Sequence, residues 1–444
     1  MSRIVIIGFG SAGYAALMSA RKEDPKAEII IIDPKKQDLL HPCGLPYALE
    51  GKVDPACLTQ DIHLDRMKVE KISGRAEAIN PAKKIITVVS GEGSLEVPYD
   101  RCLICPGSRA LVPPIPGASS LLGKGLFTLT NKEDLDILML HVKTAKEAVV
   151  IGAGAIGLET AVALKAHLDK VTVIEMQDRV LPGVLDPDMA TGATDALANE
   201  KVSLMTGTAV DEIQGTDCVT GVVVSGEEVK ADLVVLSAGF APLTELAESA
   251  GLETSARGIK VNERMETSAS DIYAAGDCAA TVSVIDQKEI GAKLATSAYR
   301  QGIVAGTVLA GGEASYRGSA GTFVTTIGSL EVAGTGFTAS EAKERGLDAA
   351  AGKIKTYQLP EYFPGGDDIQ IKVMVDKKSR RIIGGQALGK SGAPSRINLL
   401  SMAIEFGITL DDFTRTEMAY CPAVSEVDDP LMKACDFALR RLKR

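Results

Sequence analysis

The chain has 444 residues, of which 45% are hydrophobic and 24% are charged, a composition typical of a globular protein with two or three domains. Its formal net charge of -10 at pH 7 argues against a nucleic-acid-binding surface. No apolar stretch reaches the length of a membrane span, and the first predicted strand begins at Arg3 without a preceding cleavable signal. We therefore expect a cytoplasmic protein that binds neither nucleic acid nor membrane.

A glycine fingerprint follows the first predicted strand. The apolar run Arg3–Ile7 leads into Gly8-Phe-Gly10-Ser-Ala-Gly13, and helical spacing follows from Tyr14 onwards. Glycines at these positions permit a tight turn and let a pyrophosphate approach the N-terminus of the helix. A second apolar run, Glu28–Ile32, ends at Asp33, where a carboxylate can accept hydrogen bonds from a ribose. The pattern predicts a dinucleotide-binding unit.

The same order of features occurs again further along the chain. A predicted strand at 148–151 leads into Gly152-Ala-Gly154-Ala-Ile-Gly157, and a helix is predicted from about Leu158. The next predicted strand, 171–174, is followed directly by Glu175. A carboxylate at this position suits the ribose of NAD and repels the 2′-phosphate of NADP.

Two nearby basic residues, Lys170 and Arg179, keep NADPH as an alternative to NADH. A single glycine fingerprint is weak support for a nucleotide site, whereas two complete units, each with its own acidic residue, are strong support. The sequence therefore predicts an α/β fold with two Rossmann-like dinucleotide-binding domains.

Three later segments carry a family resemblance. A predicted strand ends at Pro106-Gly107, a second ends at Gly239, and a third ends at Gly276-Asp277. Together with the two fingerprints, they resemble the pyridine nucleotide-disulfide oxidoreductases, a family of FAD- and NAD(P)H-dependent flavoproteins. The resemblance implies FAD at the first fingerprint and at Asp277. It also implies the nicotinamide cofactor at the second fingerprint, with Glu159 close to the nicotinamide.

The resemblance implies a domain division and a set of cofactor contacts. Residues 1–111 and 250–318 would form a discontinuous FAD-binding domain, 112–249 the NAD(P)H-binding domain, and 319–444 a C-terminal α+β dimerisation domain of a homodimer. The implied FAD-site residues are Gly8, Gly10, Ser11, Ala12, Gly13, Asp33, Pro34, Pro42, Gly107, Gly276 and Asp277. The implied NAD-site residues are Gly152, Gly154, Ala155, Ile156, Gly157, Glu159, Glu175 and Gly239.

One cysteine lies in a motif that carries chemistry. The segment His41-Pro-Cys43-Gly-Leu-Pro-Tyr47 resembles the single-cysteine branch of the family, which contains coenzyme A disulfide reductase, NADH polysulfide reductase, NADH oxidase and NADH peroxidase. Cys43 is therefore the predicted sulfur that receives electrons from the flavin. We expect it at the start of a helix, where the helix dipole lowers the pKa of a thiol. Its oxidised form would be a mixed disulfide, a persulfide or a sulfenic acid.

The resemblance favours a small sulfur-containing substrate over oxygen. Oxidase and peroxidase members carry a histidine in the first glycine loop, where this chain has Ser11. Tyr362 and Tyr420 lie in segments that match C-terminal motifs of coenzyme A disulfide reductases, whose two tyrosines enter the active site of the partner subunit. Both would stabilise the leaving thiolate of a disulfide or polysulfide.

Several alternatives remain open at the level of sequence. His41 either assists Cys43 as a base or points outward, and Cys421 is either a resolving thiol or a small packing residue. Three functions also remain as alternatives: reduction of a disulfide, persulfide or polysulfide, NADH oxidation by oxygen, and electron transfer as a subunit with a protein partner. No metal is expected, because Cys102 and Cys105 face opposite sides of a predicted strand without a second ligand pair.

Overall fold

The computed structural model describes residues 2–91, 93–291 and 293–443. The chain forms two compact units, each built from separated segments. The first unit comprises the chain up to Gly44 together with Asp54–Ala110 and Phe240–Ser319. The second comprises Leu45–Val53, Leu111–Gly239 and the chain from Ala320 onwards.

A five-stranded parallel sheet forms the centre of the first unit. Its spatial order is Ile272–Ala274, Arg101–Ile104, Arg3–Ile7, Glu28–Ile32 and Val69–Ile72. The predicted strands Arg3–Ile7 and Glu28–Ile32 are confirmed. Both are rich in isoleucine because the strands of a parallel sheet are buried on both faces.

Helices cover one face of this sheet and a small antiparallel sheet covers the other. Helix Ser11–Glu23 packs against helix Ala295–Leu309 so closely that a Cβ at Gly302 would lie 2.3 Å from the Ala12 carbonyl oxygen. The antiparallel sheet consists of Gly74–Asn80, Ile85–Ser90 and Gly93–Pro98. The remaining elements of this unit are strands Leu39–Leu40, Thr59–Gln60, Ser108–Ala110, Phe240–Pro242, Thr254–Ser255, Gly258–Ile259, Thr281–Val282 and Glu289–Ile290, helix Glu245–Ser249, and 3₁₀ turns Pro42–Gly44 and Pro55–Leu58.

The second unit contains its own five-stranded parallel sheet. The spatial order is Leu126–Phe127, Leu233–Leu236, Glu147–Ile151, Lys170–Glu175 and Ser203–Thr206. The helix after the second fingerprint spans Ala155–Lys165, so its predicted start at about Leu158 is too late. The other elements of this part are helices Leu45–Glu50, Ala118–Leu121, Lys132–Val142 and Pro187–Asn199, and antiparallel strands Val210–Gly215, Val219–Val224 and Glu227–Lys230.

The C-terminal part of the second unit is an antiparallel sheet with helices. The five strands lie in the order Phe323–Ile327, Leu330–Gly336, Ile382–Gly389, Asp368–Asp376 and Ala349–Tyr357. The helices are Ala339–Glu344, Ala393–Glu405, Leu410–Phe413 and Pro430–Leu442. The predicted fold class is confirmed: two parallel sheets with dinucleotide-type glycine turns are followed by an α+β part. Within the described ranges, no helix is both long and apolar enough to cross a membrane.

Candidate active site

The first glycine turn is closed at two glycines and open at the third. Gly8 adopts a φ of +98°, and a Cβ there would lie 2.4 Å from the carbonyl oxygen of Cys105. A Cβ at Gly13 would lie 2.3 Å from the Gly8 carbonyl oxygen. At Gly10, by contrast, a Cβ would meet no heavy atom within 4 Å. The turn therefore fits a pyrophosphate, because it brings bare backbone to an open surface at a helix N-terminus.

The second glycine turn repeats this geometry. Gly152 has a φ of +106°, and a Cβ there would lie 2.4 Å from the Ser237 carbonyl oxygen. A Cβ at Gly157 would lie 2.0 Å from the Gly152 carbonyl oxygen, whereas Gly154 again faces open space. Ala155 and Ile156 form the first turn of the helix between these glycines and are partly exposed. Each unit thus carries one complete dinucleotide-type turn.

Asp33 is held beside the first turn. Its carboxylate is 2% exposed and accepts the backbone N–H of Phe9 at 2.6 Å and that of Lys35 at 2.8 Å. The Lys35 ammonium group also bonds Asp33 Oδ2 at 2.6 Å. Pro34 is exposed. These three donors use both lone pairs of Oδ2 and one of Oδ1, so Oδ1 keeps one lone pair that can accept a ribose hydroxyl.

Glu175 occupies the matching place beside the second turn. It is 8% exposed and accepts the backbone N–H of Ala153 at 2.7 Å and that of Gln177 at 2.8 Å. These two bonds correspond in position to those of Asp33. The described residues include no cation within salt-bridge distance of Glu175, so its charge would oppose a 2′-phosphate.

Neither of the basic residues considered for NADPH is placed to offset Glu175. Lys170 lies at the opposite end of strand Lys170–Glu175, about 16 Å away at the usual strand rise. There its ammonium group lies 3.5 Å from Glu147. The Arg179 guanidinium donates to the carbonyl oxygens of Leu185 at 2.9 Å and Pro182 at 3.2 Å.

The Gly276-Asp277 turn lies against the first fingerprint, within the same unit. A Cβ at Gly276, whose φ is +83°, would lie 3.1 Å from the Ala12 side chain. The Gly276 N–H donates to Gln301 Oε1 at 2.7 Å, and Ser108 Oγ donates to Asp277 Oδ2 at 2.9 Å. The structure therefore brings together the two segments that the resemblance assigned to FAD.

Gly107 and Lys293 also lie at this turn, but only Gly107 could be predicted from the sequence. Gly107 has a φ of +85° and follows strand Arg101–Ile104, as the sequence suggested. Lys293 was missed: its ammonium group donates to the Asp277 carbonyl oxygen at 2.6 Å. Burial lowers the pKa of Lys293. Its signal is weak in sequence because a lone lysine before a helix is ordinarily a surface residue.

Cys43 lies in the 3₁₀ turn Pro42–Gly44 and carries an exposed thiol. The turn is fixed by its backbone: the Gly44 N–H donates to the His41 carbonyl oxygen at 3.0 Å, and the His41 N–H donates to the Leu58 carbonyl oxygen at 2.8 Å. His41 and Pro42 are exposed. An α-helix, Leu45–Glu50, starts directly after Gly44, so the predicted helix start is preceded by a tighter turn.

The cysteines of the first sheet are packing residues. Cys102, Cys105 and Cys278 are buried, and burial raises the pKa of each thiol, to about 12 for Cys278. Cys105 Sγ donates to the Gly8 carbonyl oxygen at 3.1 Å and so supports the glycine turn. In the ranges that the structure describes, no group of three or more His, Cys, Asp or Glu side chains could hold a metal ion.

Glu159 lies on helix Ala155–Lys165 in a cluster of hydroxyl groups. Thr325 Oγ1 donates to Glu159 Oε1 at 2.5 Å, and the Tyr47 hydroxyl donates to the same oxygen at 3.4 Å. The Tyr47 hydroxyl also lies 3.1 Å from Thr326 Oγ1. Burial raises the pKa of Glu159. Sequence reasoning found Glu159 but missed its two partners, Thr325 and Tyr47, and Thr326, which bonds Tyr47.

Tyr362 and Tyr420 meet in the C-terminal part of the second unit. Their hydroxyl oxygens lie 3.0 Å apart, and the two side chains are 74% and 46% exposed. The hydrogen bond with Tyr362 raises the pKa of Tyr420. Cys421 follows Tyr420 and is exposed rather than buried. Gly239, at the end of strand Leu233–Leu236, is exposed with a φ of +103°.

Two family models match the chain. Residues 2–302 match the pyridine nucleotide-disulphide oxidoreductases, and residues 322–429 match the dimerisation domain of the same family. The chain belongs to the pyridine nucleotide-disulphide oxidoreductase family. It is therefore an oxidoreductase of the class that uses a pyridine nucleotide, as the resemblance implied, and it carries the family's dimerisation domain.

Relatives of this oxidoreductase bear several functional names. It is 33% identical to an NADH oxidase of Methanocaldococcus jannaschii over 99% of both chains. It is 32% identical to an NAD(P)H coenzyme A polysulfide/persulfide reductase of Pyrococcus horikoshii over 97% of both chains. A structure of an NAD-dependent persulfide reductase from A. fulgidus superimposes with a TM-score of 0.96 and 34% identity, covering 99% of this chain and 84% of that one.

Proposed function

We propose that this chain is an FAD-dependent NADH oxidoreductase that reduces a small disulfide, persulfide or polysulfide at Cys43. The observation that carries the proposal is the pair of matched glycine turns, each with its own buried carboxylate, together with one exposed thiol in the HPCGLPY segment. NADH at the second turn would be the electron donor, FAD at the first turn would be the electron carrier, and Cys43 would be the acceptor sulfur.

The two turns receive different cofactors in this proposal. FAD would be held by the residues 1–111 and 250–318, through Gly8 to Gly13, Asp33, Pro34, Pro42, Gly107, Gly276 and Asp277. NADH would be held by the residues 112–249, through Gly152 to Gly157, Glu159, Glu175 and Gly239. When bound, the flavin supplies two-electron chemistry between the nicotinamide and a sulfur atom.

Cys43 performs the sulfur chemistry. For a disulfide RSSR, the Cys43 thiolate attacks one sulfur, forms a mixed disulfide and releases the other half as a thiolate. Two electrons from NADH then break the mixed disulfide, which restores the Cys43 thiolate and releases the second thiolate. The sum is RSSR + NADH + H⁺ giving 2 RSH + NAD⁺. For a persulfide, RSSH + NADH + H⁺ gives RSH + H₂S + NAD⁺.

Proton transfer in this scheme is assigned to the tyrosine pair, with His41 as a candidate base for the thiol. Tyr362 and Tyr420 are exposed and share one hydrogen bond, so a hydroxyl of this pair can protonate or stabilise a leaving thiolate. The match of residues 322–429 to the family's dimerisation domain supports a homodimer. In that homodimer each pair would serve the partner's thiol, with Cys421 next to it as a candidate resolving thiol.

NADH oxidase activity is the second candidate, because the relative from Methanocaldococcus jannaschii bears that name. In that reaction Cys43 would pass through a sulfenic acid and oxygen would be the electron acceptor. Ser11 lies at the first helical position of the first turn, where a histidine would be expected for this alternative. The chain offers no imidazole there, so we favour the sulfur substrate.

The test is anaerobic NADH consumption by the FAD-loaded protein with coenzyme A disulfide, polysulfide or a dye as acceptor. We expect Cys43→Ser to abolish sulfur reduction and to retain dye reduction. Cys57→Ser is the matched control, because Cys57 is another exposed cysteine of the same unit. Full sulfur reduction by Cys43→Ser would refute the thiol mechanism. In a parallel aerobic assay, consumption of oxygen together with no reduction of any sulfur acceptor would select the oxidase.

A further inference from the structure

The hydroxyl group of Tyr47 contacts Glu159, the residue proposed to lie close to the nicotinamide. It lies on helix Leu45–Glu50, which belongs to the second compact unit together with Glu159 and Thr326. The hydroxyl is 3.1 Å from Thr326 Oγ1 and 3.4 Å from Glu159 Oε1. The same short helix is held at its end, where His167 Nε2 lies 2.8 Å from the Leu49 carbonyl oxygen. The helix that carries Tyr47 is thus held at Leu49, and the Tyr47 hydroxyl is held by Thr326 and Glu159.

The hydrogen bonds to Glu159 converge on one of its two oxygens. Both the Thr325 hydroxyl and the Tyr47 hydroxyl end on Oε1. Among the described residues, no hydrogen bond ends on Oε2. An ionised carboxylate accepts at both oxygens, so Oε2 retains its full capacity for a donor such as an amide N–H.

We infer that Tyr47 is a positioning residue for NADH binding: with Thr326 it fixes the Glu159 carboxylate so that Oε2 remains available to the nicotinamide carboxamide. The inference rests on the proposed use of Glu159 in NADH binding. Tyr47 itself need not contact the cofactor, because its effect is exerted through Glu159.

The proposed role of Tyr47 predicts a measurable change in the pKa of Glu159 when the Tyr47 hydroxyl is removed. Burial raises the pKa of Glu159, and hydrogen bonds from Thr325 and Tyr47 oppose that rise. Burial also raises the pKa of Tyr47, so its hydroxyl stays a donor at neutral pH. Loss of this hydroxyl would raise the pKa of Glu159 further and make the carboxyl take up a proton at a higher pH.

Other charged groups near the cluster are already paired. Glu50 and Lys52 line the same small cavity as Tyr47 and Glu159, and Lys52 Nζ lies 2.7 Å from Glu50 Oε1. Thr325 and Thr326 do not titrate. Glu175, which the proposal also places in the NADH site, and His167, which holds the end of this helix, are both unchanged in a Tyr47 variant. A difference in the pH dependence of NAD⁺ binding between the wild type and that variant would therefore report Glu159, through its hydrogen bond with Tyr47.

The experiment is calorimetric titration of the oxidised, FAD-loaded protein with NAD⁺ across the acidic to neutral range, which needs no turnover. We expect Tyr47→Phe to weaken NAD⁺ binding about tenfold at neutral pH. The fall in affinity on acidification should also begin at a higher pH than in the wild type. Thr326→Val should act in the same direction, and Thr326→Ser should restore binding. Tyr357→Phe is the control, because Tyr357 is 55% exposed and lies outside the cluster.

Failure of this inference can be separated from failure of the proposed function. An unchanged affinity and an unchanged pH profile in Tyr47→Phe, with FAD content and thermal unfolding also unchanged, would overturn the positioning role. If Glu159→Leu, which has no acceptor, binds NAD⁺ normally while Glu175→Ala does not, Glu159 plays no part and Tyr47 loses its role with it. If neither Glu159→Leu nor Glu175→Ala changes NAD⁺ binding, the proposed NADH site itself is wrong.

Discussion

The carboxylate of Glu175 accepts a 2.7 Å hydrogen bond from the backbone N–H of Ala153, inside the second glycine turn. Asp33 and Phe9 form the same bond at 2.6 Å in the first turn. Each carboxylate is therefore oriented by the turn whose nucleotide it would bind. Because the bond fixes one oxygen, the other lone pairs are directed before a ribose arrives, which reduces the entropy lost on binding.

We predict that Glu175→Ala weakens NADH binding about 10- to 100-fold, the effect of removing a charged hydrogen-bond acceptor worth about 1.5–3 kcal/mol. NADPH binding should weaken less, because the change also removes repulsion of the 2′-phosphate. Titration of the oxidised protein with NAD⁺ and NADP⁺ measures both effects. Glu147→Ala, at the start of a neighbouring strand and partly exposed, is the control. An unchanged preference for NADH would rule out the ribose assignment.

The second and third glycines of the second turn, Gly154 and Gly157, separate an effect on folding from an effect on binding. A Cβ at Gly157 would lie 2.0 Å from the Gly152 carbonyl oxygen, whereas a Cβ at Gly154 meets nothing within 4 Å. We expect Gly157→Ala to lower the midpoint of thermal unfolding. Gly154→Ala should unfold like the wild type and lose NADH affinity, because its methyl group occupies the space of the pyrophosphate.

The comparison requires the FAD-loaded protein, with melting temperature and the NAD⁺ dissociation constant measured on the same samples. Gly183→Ala provides a reference, since a Cβ there also meets nothing within 4 Å and lies outside the fingerprint. If Gly154→Ala bound NAD⁺ as well as Gly183→Ala does, the open face of this turn would not be a nucleotide site.

The sequence was sufficient for the parallel strands and the glycine turns because their signals are local. Strands Arg3–Ile7 and Glu28–Ile32 are short apolar runs bounded by a glycine turn and an acidic residue, and both occur as predicted. The helix of the second fingerprint was predicted to begin too late. Its third glycine, Gly157, lies inside the helix, where close packing on Gly152 favours glycine despite its low helix propensity.

The surroundings of Glu159 could not be predicted in this way. Its partners Tyr47 and Thr325 lie 112 and 166 residues away in the chain. A tyrosine on a six-residue helix and a threonine on a strand carry no periodic signal, and only the tertiary fold brings their hydroxyls to one carboxyl oxygen. Lys293 was missed for a different reason: its partner is the backbone carbonyl group of Asp277, which gives no signal in the sequence.

Asp186 and Lys372 form a buried ion pair between two sequence-distant parts of the second unit. Lys372 Nζ lies 2.8 Å from Asp186 Oδ2, and the two residues are 7% and 1% exposed. We predict that Lys372→Met destabilises the protein by about 3–5 kcal/mol, because it leaves an unpaired buried carboxylate. Lys353→Met should cost less than about 1 kcal/mol, since Lys353 pairs with Asp188 at the surface. Urea unfolding followed by circular dichroism compares the two variants, and equal losses would contradict the prediction.

The Asp188 carboxylate makes the free energy of unfolding depend on pH in the acid range. Burial tends to raise its pKa, but hydrogen bonds and charges from Lys372 and Lys353 outweigh burial and hold the pKa below its ordinary value. The stabilisation is therefore present above the unfolded pKa of about 4 and is lost as the pH falls through the lower folded pKa. We expect Asp188→Asn to be less stable than the wild type at neutral pH, with the difference shrinking below about pH 4. A difference that stays constant down to the acid limit would exclude this contribution.

If Tyr362 and Tyr420 act in the sulfur chemistry, a change in this pair should slow reduction of sulfur acceptors and leave the delivery of electrons from NADH unchanged. The hydroxyl groups of Tyr362 and Tyr420 lie 3.0 Å apart and share one hydrogen bond, which raises the pKa of Tyr420, so Tyr420 stays protonated at neutral pH. If it protonates a leaving thiolate, Tyr420→Phe should slow disulfide or polysulfide reduction about 100-fold, the usual lower range for a general acid. Reduction of a dye by NADH should not change, and neither reaction should change in Tyr357→Phe. Equal slowing of both acceptors in Tyr420→Phe would instead place the pair in the fold or the dimer contact, because a proton donor for sulfur has no part in dye reduction.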